Sequence, residues 1–325
     1  MNRAMRWVLG AVCSLGVILA IAVTATVGWR PFFGPRTRSV TNRHFDATPD
    51  RLARGAYLSR AVLGCLDCHT DHNWSAPGGP ILSGREGSGG LFPAEGLPGR
   101  IVASNITSDR ETGIGDWSDD ELARAIREGV GRDGRTLFPL MPYQNFRRLP
   151  DEDLAAVVVY IRSLPPIHSP LPQTEIAFPV KYLIRSVPQP IPAPVSAPDL
   201  SSAEKRGEFL ATVASCADCH TPVVHGQPDL SMAFAGGQVF KGPWGQVVSA
   251  NITPHKTGIA YYNEKLFIEA MRTGSVMGRP LNPLMPWFAY KDMTDDDLKA
   301  IFAYLRTVEP VENNVRSKQA AEAQR

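Results

Sequence analysis

The sequence has little excess charge of either sign. It carries 34 lysines and arginines against 32 aspartates and glutamates, which gives a formal net charge of +2. Residues 1–30 contain three arginines and no acidic residue, so the rest of the chain has 31 basic and 32 acidic side chains. Proteins that bind nucleic acid through its phosphates carry a strongly basic surface. We therefore expect no nucleic acid among the partners of this chain.

The sequence also lacks any sustained alternation of apolar and polar residues, which would be typical of half-buried strands. Apolar residues recur instead with the spacing of one helical face in two late segments, at Leu154, Val157, Val158 and Ile161, and at Leu298, Ile301, Phe302 and Leu305. Glycine and proline each occur 28 times, which favours long loops. These features predict a mostly α fold.

No charged side chain occurs between residues 7 and 29. A helix needs about 20 apolar residues to cross a bilayer, and Trp7 and Trp29 stand at the two ends, where interfacial indoles are favoured. We expect residues 1–30 to be a single-pass transmembrane anchor. The alternative is a signal peptide cleaved near Ala20-Ile21-Ala22, which would leave a soluble periplasmic protein. Either interpretation places the rest of the chain in the bacterial periplasm.

The chain after this segment repeats itself. Several stretches recur in the same order, among them Arg54-Gly55 with Arg206-Gly207, Cys65–Thr70 with Cys216–Thr221, Asn105-Ile106-Thr107 with Asn251-Ile252-Thr253, and Pro139–Pro142 with Pro283–Pro286. The period is far longer than that of a solenoid, so the duplication predicts two tandem domains. We call residues 45–164 the first repeat and residues 199–310 the second repeat.

Ten prolines lie in residues 165–198, between the two repeats. We expect this linker to be extended and semi-rigid, without helix, and its apolar patch at residues 178–187 to lie against one of the repeats. Residues 311–325 form a polar tail that we expect to fray.

Each repeat contains one C-x-x-C-H motif, formed by Cys65, Cys68 and His69 and by Cys216, Cys219 and His220. Two cysteines three residues apart on a helical turn can form thioethers with the two vinyl groups of one haem, and the next residue can then bind the iron. The motifs predict two covalently attached haem c groups. A zinc site would need to combine pairs about 150 residues apart. A thioredoxin-like site would need a βαβ context that the sequence lacks.

Met141 and Met285 are the predicted second iron ligands. They are the only methionines that the duplication preserves, and each lies in a P-L-M-P sequence whose prolines stiffen the loop. The competing interpretation is packing in the core. His72, His168, His225 and His255 have no counterpart in the other repeat. Histidine and methionine together fill both axial positions of the iron, so we expect electron transfer and no catalytic residue.

Asn105 and Asn251 allow two interpretations. They could form part of the wall of a haem pocket and bond the propionates, or they could stabilise turns, as asparagine often does.

The motifs together resemble a known family. The stretch Cys65–Thr70, the run from Asn105 to Asp119, Leu140–Tyr143 and Asp151–Leu154 resemble the class I cytochrome c domains in the cytochrome subunits of membrane-bound alcohol and gluconate dehydrogenases. Those subunits have three such domains, and this chain has two. The second repeat departs from the pattern at Tyr261-Tyr262-Asn263.

The resemblance implies haem c, a dehydrogenase as electron donor, and delivery of electrons to quinone or a terminal oxidase. We therefore expect a membrane-anchored dihaem cytochrome that transfers electrons and is not an enzyme on its own. The alternative is a dihaem oxidoreductase of the peroxidase or thiosulfate-oxidising type, in which one haem is open to substrate.

Overall fold

The computed structural model describes residues 3–76, 79–224 and 226–315. Within these ranges the chain is rich in helix, with long loops and strands of two to four residues, which confirms the predicted mostly α fold. His225 and most of the predicted tail, residues 316–325, lie outside the described residues.

The α-helices, in chain order, are α1 (Arg3–Thr26), α2 (Arg30–Phe33), α3 (Pro49–Tyr57), α4 (Cys65–Cys68), α5 (Asp119–Glu128), α6 (Tyr143–Phe146), α7 (Asp151–Arg162), α8 (Val180–Leu183), α9 (Ala203–Val213), α10 (Cys216–His220), α11 (Glu264–Thr273), α12 (Trp287–Tyr290) and α13 (Asp295–Leu305). One turn of π-helix and two 3₁₀ turns complete the helical part of the described chain, at Leu58–Val62, Ile184–Ser186 and Leu230–Met232.

The strands form five antiparallel pairs, each a sheet of its own. They are β1 (Gly90–Leu91) with β3 (Val102–Ala103), β2 (Gly99–Arg100) with β4 (Glu175–Ile176), β5 (Val223–Val224) with β6 (Gln227–Pro228), β7 (Val239–Gly242) with β8 (Gly245–Val248), and β9 (Ser275–Val276) with β10 (Arg279–Pro280). The longest pair, β7 with β8, aligns Val239 with Val248. These pairs fasten loops and do not form a common sheet.

Helix α1 has 24 residues, and none of its side chains is buried. By length and composition it could cross a membrane. The helix ends beside Trp29, whose indole nitrogen donates a hydrogen bond to the Thr24 hydroxyl at 3.0 Å. The predicted apolar N-terminal helix is therefore present, and it fits either an anchor or a signal sequence.

Several of the helices begin at side chains that accept hydrogen bonds from the first turn. Thr48 caps α3, Ser118 and Glu121 form a capping box on α5, Ser202 caps α9, and Asn263 caps α11. The first helix of the first repeat does not continue as far as Cys65. It changes to the π-helical turn after Tyr57, and Gly64 then adopts a left-handed conformation with φ 63°.

In each repeat the first helix crosses the last one at a glycine. A Cβ atom on Gly55 would lie 2.0 Å from the carbonyl oxygen of Ala156, and one on Gly207 would lie 1.9 Å from that of Ala300. Only glycine permits this approach of α3 to α7 and of α9 to α13. The predicted apolar faces of α7 and α13 are buried in the same core.

An ion pair beside each glycine joins the same two helices. Arg54 donates to Asp153 at 2.8 Å, and Arg206 donates to Asp297 at 2.7 Å. The repeated Arg-Gly dipeptide thus supplies both the close contact and the charge that fastens it. Two fixed helices per repeat give the loops between them a rigid frame.

The linker differs from its prediction because it contains helix. Helix α8 and the 3₁₀ turn that follows it form where no proline occurs, between Pro179 and Pro188. The apolar patch of the linker packs on α2, where Arg185 donates to the carbonyl of Pro31 at 3.2 Å.

The segment that follows α2 is bound along the first repeat by buried charges. Arg38 donates to Asp120 and to Glu128, each at 2.7 Å, and the backbone N–H of Thr41 donates to Asp120 at 2.7 Å. The side chains of Asp120 and Glu128 are 0% and 3% exposed. This contact fixes the connection between α1 and the first repeat.

We expect Arg38→Ala to lower the free energy of unfolding at neutral pH by about 3 kcal/mol, because two buried carboxylates lose their cation. Burial alone would raise the pKa of Asp120, but the bonds from Arg38 and Thr41 outweigh it and lower this pKa to about 2. The stabilisation is therefore complete above the ordinary aspartate pKa of about 4 and is lost as the pH falls toward 2. Guanidinium unfolding at a series of pH values measures the difference between wild type and variant.

That difference should shrink as the solution is acidified. The control is Arg36→Ala, since Arg36 is exposed and makes only a long bond of 3.4 Å to Gln189. A difference for Arg38→Ala that stays constant with pH would contradict the role of Asp120.

Candidate haem sites

Each C-x-x-C-H motif folds into one short helix, α4 or α10, entered through a left-handed residue. The entry residue is Gly64 in the first motif and Ser215 in the second, with φ values of 63° and 59°. Serine is disfavoured in this conformation by roughly 1–2 kcal/mol. The Ser215 hydroxyl accepts a hydrogen bond from the Asn145 amide at 3.0 Å, which helps to hold it there.

None of the four motif cysteines forms a disulfide. Cys65 and Cys216 pack against the core, whereas Cys68 and Cys219 remain open to solvent on one side. Burial raises the pKa of Cys65 and of Cys216 to about 12. A redox-active C-x-x-C site instead has a lowered thiol pKa, so these pairs do not resemble one.

The two motif histidines are oriented alike. Nδ1 of His69 lies 2.7 Å from the carbonyl oxygen of Ser104, and Nδ1 of His220 lies 2.7 Å from that of Ala250. Because a carbonyl oxygen only accepts, Nδ1 carries the proton, and Nε2 keeps its lone pair. Nε2 of neither ring has a hydrogen-bond partner among the described residues. This is the arrangement that metal-bound histidines use.

The loops that carry Met141 and Met285 have the same backbone geometry. The residue after each methionine, Pro142 or Pro286, has φ −83° and ψ 50° or φ −78° and ψ 48°, and forms an inverse γ-turn. Both methionines are partly buried against the core. Met277, by contrast, is 77% exposed.

Two buried hydrogen-bond donors follow these methionines at equivalent positions. The Tyr143 hydroxyl and the Trp287 indole nitrogen have no partner among the described residues. Buried donors of this kind normally find an acceptor. A haem carries two carboxylates, so these donors, the free Nε2 atoms and the paired thiols fit the predicted group.

Asn105 and Asn251 make the same four bonds in each repeat, and these bonds favour turn stabilisation over haem contact. The amide of Asn251 donates to Thr257 at 3.1 Å and to the carbonyl of Val311 at 2.8 Å. Its oxygen accepts from the backbone N–H and the hydroxyl of Thr253, at 2.9 and 2.7 Å. No donor of the side chain is left for a propionate.

The sequence interpretation missed the segment that follows each last helix. Val311 and Asn313 are bonded to the hydroxyls of Thr253 and Thr257, at 3.2 and 3.0 Å. Ile167 and Ser169 make the matching bonds in the first repeat. The expected fraying is therefore wrong for residues 311–315, where Asn313 and Val315 are buried. The sequence alignment that pairs Met141 with Met285 also pairs these two segments. That alignment was the signal from which their equivalent roles could have been predicted.

The two motifs meet at the contact between the repeats. From the first repeat, Asn145 donates to Asp218 inside the second motif at 2.9 Å. From the second repeat, the ring of Phe288 packs edge-on to His72, whose Nε2 lies 3.4 Å from Asp67 inside the first motif. The helix after each methionine loop thus contacts the motif region of the opposite repeat.

Tyr290 lies between the two motifs. Its hydroxyl donates to the carbonyl of Ala214 at 2.8 Å. Burial is the main cause that raises the pKa of this phenol, and the cysteines of both motifs contribute in the same direction.

An aromatic row continues this contact. His72 stacks on Trp74 at 4.4 Å between ring centroids, and Trp74 meets Trp244 of the second repeat edge-on at 5.1 Å. Beyond it, the Glu95 N–H donates to the carbonyl of Lys241 at 2.9 Å. The contact between the repeats is thus built from rings as well as polar groups.

No family model matches the chain, but relatives are found among characterised proteins. The cytochrome c subunit of the quinone-dependent alcohol dehydrogenase of Gluconacetobacter polyoxogenes is 30% identical over 288 residues, which cover 82% of this chain and 58% of the relative. The gluconate 2-dehydrogenase cytochrome c subunit of Pantoea cypripedii is 28% identical over 285 residues, or 81% of this chain and 61% of the relative. A protein of Cereibacter sphaeroides named diheme cytochrome c-type is 29% identical over 261 residues, which cover 77% and 83%.

The resemblance predicted from the motifs is therefore confirmed. Relatives at about 30% identity over most of this chain are cytochrome c subunits of dehydrogenases and a dihaem cytochrome c. The chain spans 58% of the length of the alcohol dehydrogenase subunit. Cytochromes c hold haem through the cysteines of a C-x-x-C-H motif, which occurs twice in this chain.

We expect Asn251→Ala to lower the free energy of unfolding by about 3 kcal/mol, because four hydrogen bonds are lost and their buried partners stay unsatisfied. Guanidinium unfolding followed by circular dichroism measures the loss. Asn42→Ala is the control, since Asn42 is exposed and its replacement should change stability by about 0.5 kcal/mol or less. Equal effects of the two substitutions would show that Asn251 does not fasten residue 311 to the second repeat.

Proposed function

We propose that this chain is a membrane-anchored dihaem cytochrome whose two repeats are tandem class I cytochrome c domains. The observation that carries the proposal is the matching geometry of the two C-x-x-C-H turns, each with an oriented histidine. We assign residues 1–30 to the anchor, 45–164 and 199–310 to the two domains, 165–198 to the linker and 311–325 to the tail. The packed residues 311–315 extend the second domain beyond its predicted end.

Each domain would hold one haem through its own side chains. Cys65 and Cys68 form the thioethers of the first site, and Cys216 and Cys219 those of the second. His69 and His220 bind the iron through Nε2, which their Nδ1–H bonds to backbone carbonyls leave free. When bound, haem c supplies reversible one-electron chemistry at iron.

Met141 and Met285 would provide the second iron-binding side chain of each site. The closely similar γ-turns that follow them support one role for both residues. An iron held by a histidine and a methionine would be closed to substrate, and the protein side chains would hold the group and tune its potential. The equivalence of the two methionine loops favours electron transfer over the alternative oxidoreductase, in which one iron would stay open.

The contact between the repeats supports transfer of electrons within the chain. Asn145 and Phe288 each reach the motif region of the opposite repeat, so the two motifs face a common interface. Electrons would enter at one haem and leave from the other without dissociation of a carrier.

The relatives support a dehydrogenase partner on the donor side. Several of them are cytochrome subunits of dehydrogenases, so we propose a dehydrogenase as the electron donor. The acceptor would be a respiratory quinone or terminal oxidase. Helix α1, exposed along its whole length, would anchor the chain in the cytoplasmic membrane with both domains in the periplasm.

Purified protein should contain two haems per chain in a pyridine haemochrome assay. The double variant Cys216→Ser/Cys219→Ser should retain one, because both thioethers of the second site are lost. The control is Cys13→Ser, which removes the cysteine of α1 and should leave two. A colourless wild-type protein, or one haem shared by both motifs, would overturn the proposal.

Met285→Ala tests the axial ligand. The haem should remain attached through Cys216 and Cys219, while its midpoint potential falls, since the thioether favours ferrous iron. The methionine-to-iron charge-transfer band should weaken by about half, and one haem per chain should bind carbon monoxide readily. Met277→Ala, at the exposed methionine of the same repeat, should change none of these.

An unchanged spectrum and potential in Met285→Ala would show that Met285 is no ligand. Carbon monoxide binding to one haem of the wild-type protein would instead favour the oxidoreductase alternative.

A further inference from the structure

Two segments distant in sequence form one exposed aromatic surface. They are residues 29–33, which follow α1, and residues 178–185 of the linker. Phe178 is 79% exposed, Phe33 is 77% exposed and Phe32 is 57% exposed. Large rings are seldom left together in water without a function, because their exposure is unfavourable.

This surface lies at the end of the apolar helix. Helix α1 ends at Thr26 and α2 begins at Arg30, and the Trp29 ring between them lies 6.0 Å from Phe32 and 6.2 Å from Phe33. If α1 crosses a bilayer, these rings lie at the level of the lipid headgroups. Tryptophan and other aromatic residues favour this zone.

The linker segment is held against α2 by specific contacts. Pro31 is buried beneath it, and its carbonyl accepts the bond from Arg185. On the outside, Phe178 packs edge-on to Tyr182 at 6.2 Å. The aromatic rings of the linker are therefore fixed in place beside α2.

The charge of this surface has one sign. Residues 27–37 and 177–190 contain Arg30, Arg36, Lys181 and Arg185 and no acidic residue. Lys181 and Arg185 flank the Tyr182 ring at 5.0 and 4.8 Å. Basic side chains near a membrane surface are attracted to anionic lipid headgroups. Each such side chain adds a similar amount to the free energy of membrane binding.

We propose that residues 29–33 and 178–185 form a membrane foot that rests in the headgroup region of anionic phospholipid beside α1. Both its rings and its uncompensated positive charge match that surface. The foot rests on the proposed membrane anchor, since α1 brings it to the bilayer. A protein subunit is the competing occupant, and the test below separates the two.

The test places nitroxide spin labels on full-length holoprotein in liposomes that contain phosphatidylglycerol. Phe178→Cys and Leu230→Cys, each made in a Cys13→Ala background, form a matched pair because these side chains are 79% and 78% exposed. Leu230 lies in the 3₁₀ turn of the second repeat. Unsubstituted protein labelled at Cys13 reports on α1. Relaxation by oxygen and by a water-soluble nickel chelate measures the immersion of each label in lipid.

The label at residue 178 should be relaxed strongly by oxygen and weakly by nickel, and the label at residue 230 the reverse. Replacing phosphatidylglycerol with phosphatidylcholine should raise nickel access at residue 178, because the attraction of the basic side chains is lost. Equal nickel access in both lipids would overturn the role of anionic headgroups.

Two further outcomes would overturn the foot itself. Labels at 178 and 230 that behave alike, while the label at Cys13 is immersed, would show an anchor without a foot. A label at 178 that becomes protected only when a dehydrogenase subunit is added would identify a protein contact. An aqueous signal at Cys13 would overturn the anchor and the foot together.

Discussion

The crossing of the first helix of each repeat over its last helix is the contact on which the rest of the repeat depends. Gly55 and Gly207 let the backbones approach so closely that no side chain fits between them. The motif follows the first helix after a few residues, so its position is fixed by this crossing. The segment after the last helix accepts a hydrogen bond from the asparagine of each repeat. The residue before that asparagine, Ser104 or Ala250, carries the carbonyl that orients the motif histidine. The histidine is therefore held in place by the same pair of crossed helices.

Much of this arrangement is predictable from the sequence because it depends on local chemistry. The caps at Ser118 and Asn263, the apolar faces of the last helices and the spacing of the motifs each follow from residues a few positions apart. The duplication shows each of these patterns twice. It also separates Met141 and Met285 from the other methionines, because only these two recur at the same place in both repeats.

The remainder could not be predicted because it depends on contacts between distant segments. The bond from Arg38 to Asp120, and the packing of the linker on α2, join residues far apart in the chain. The number of prolines in the linker led to the wrong prediction that it contains no helix. The proline-free stretch after Pro179 is long enough for one helical turn. The roles of Val311 and Asn313 could not be predicted for a similar reason. Both residues are held by hydrogen bonds to threonines more than 50 positions earlier in the chain.

The entry turns of the two motifs differ in a way that makes the repeats unequal in autonomy. Gly64 adopts the left-handed conformation without penalty, so the first motif needs no outside help at this point. Ser215 adopts this conformation at an energetic cost, and its hydroxyl accepts a hydrogen bond from the amide of Asn145 in the other repeat. A hydrogen bond from the first repeat thus helps to stabilise the entry turn of the second motif. Without that neighbour, the second motif would lose a hydrogen bond at its entry turn that the first motif does not need, so at this turn the two repeats are not interchangeable.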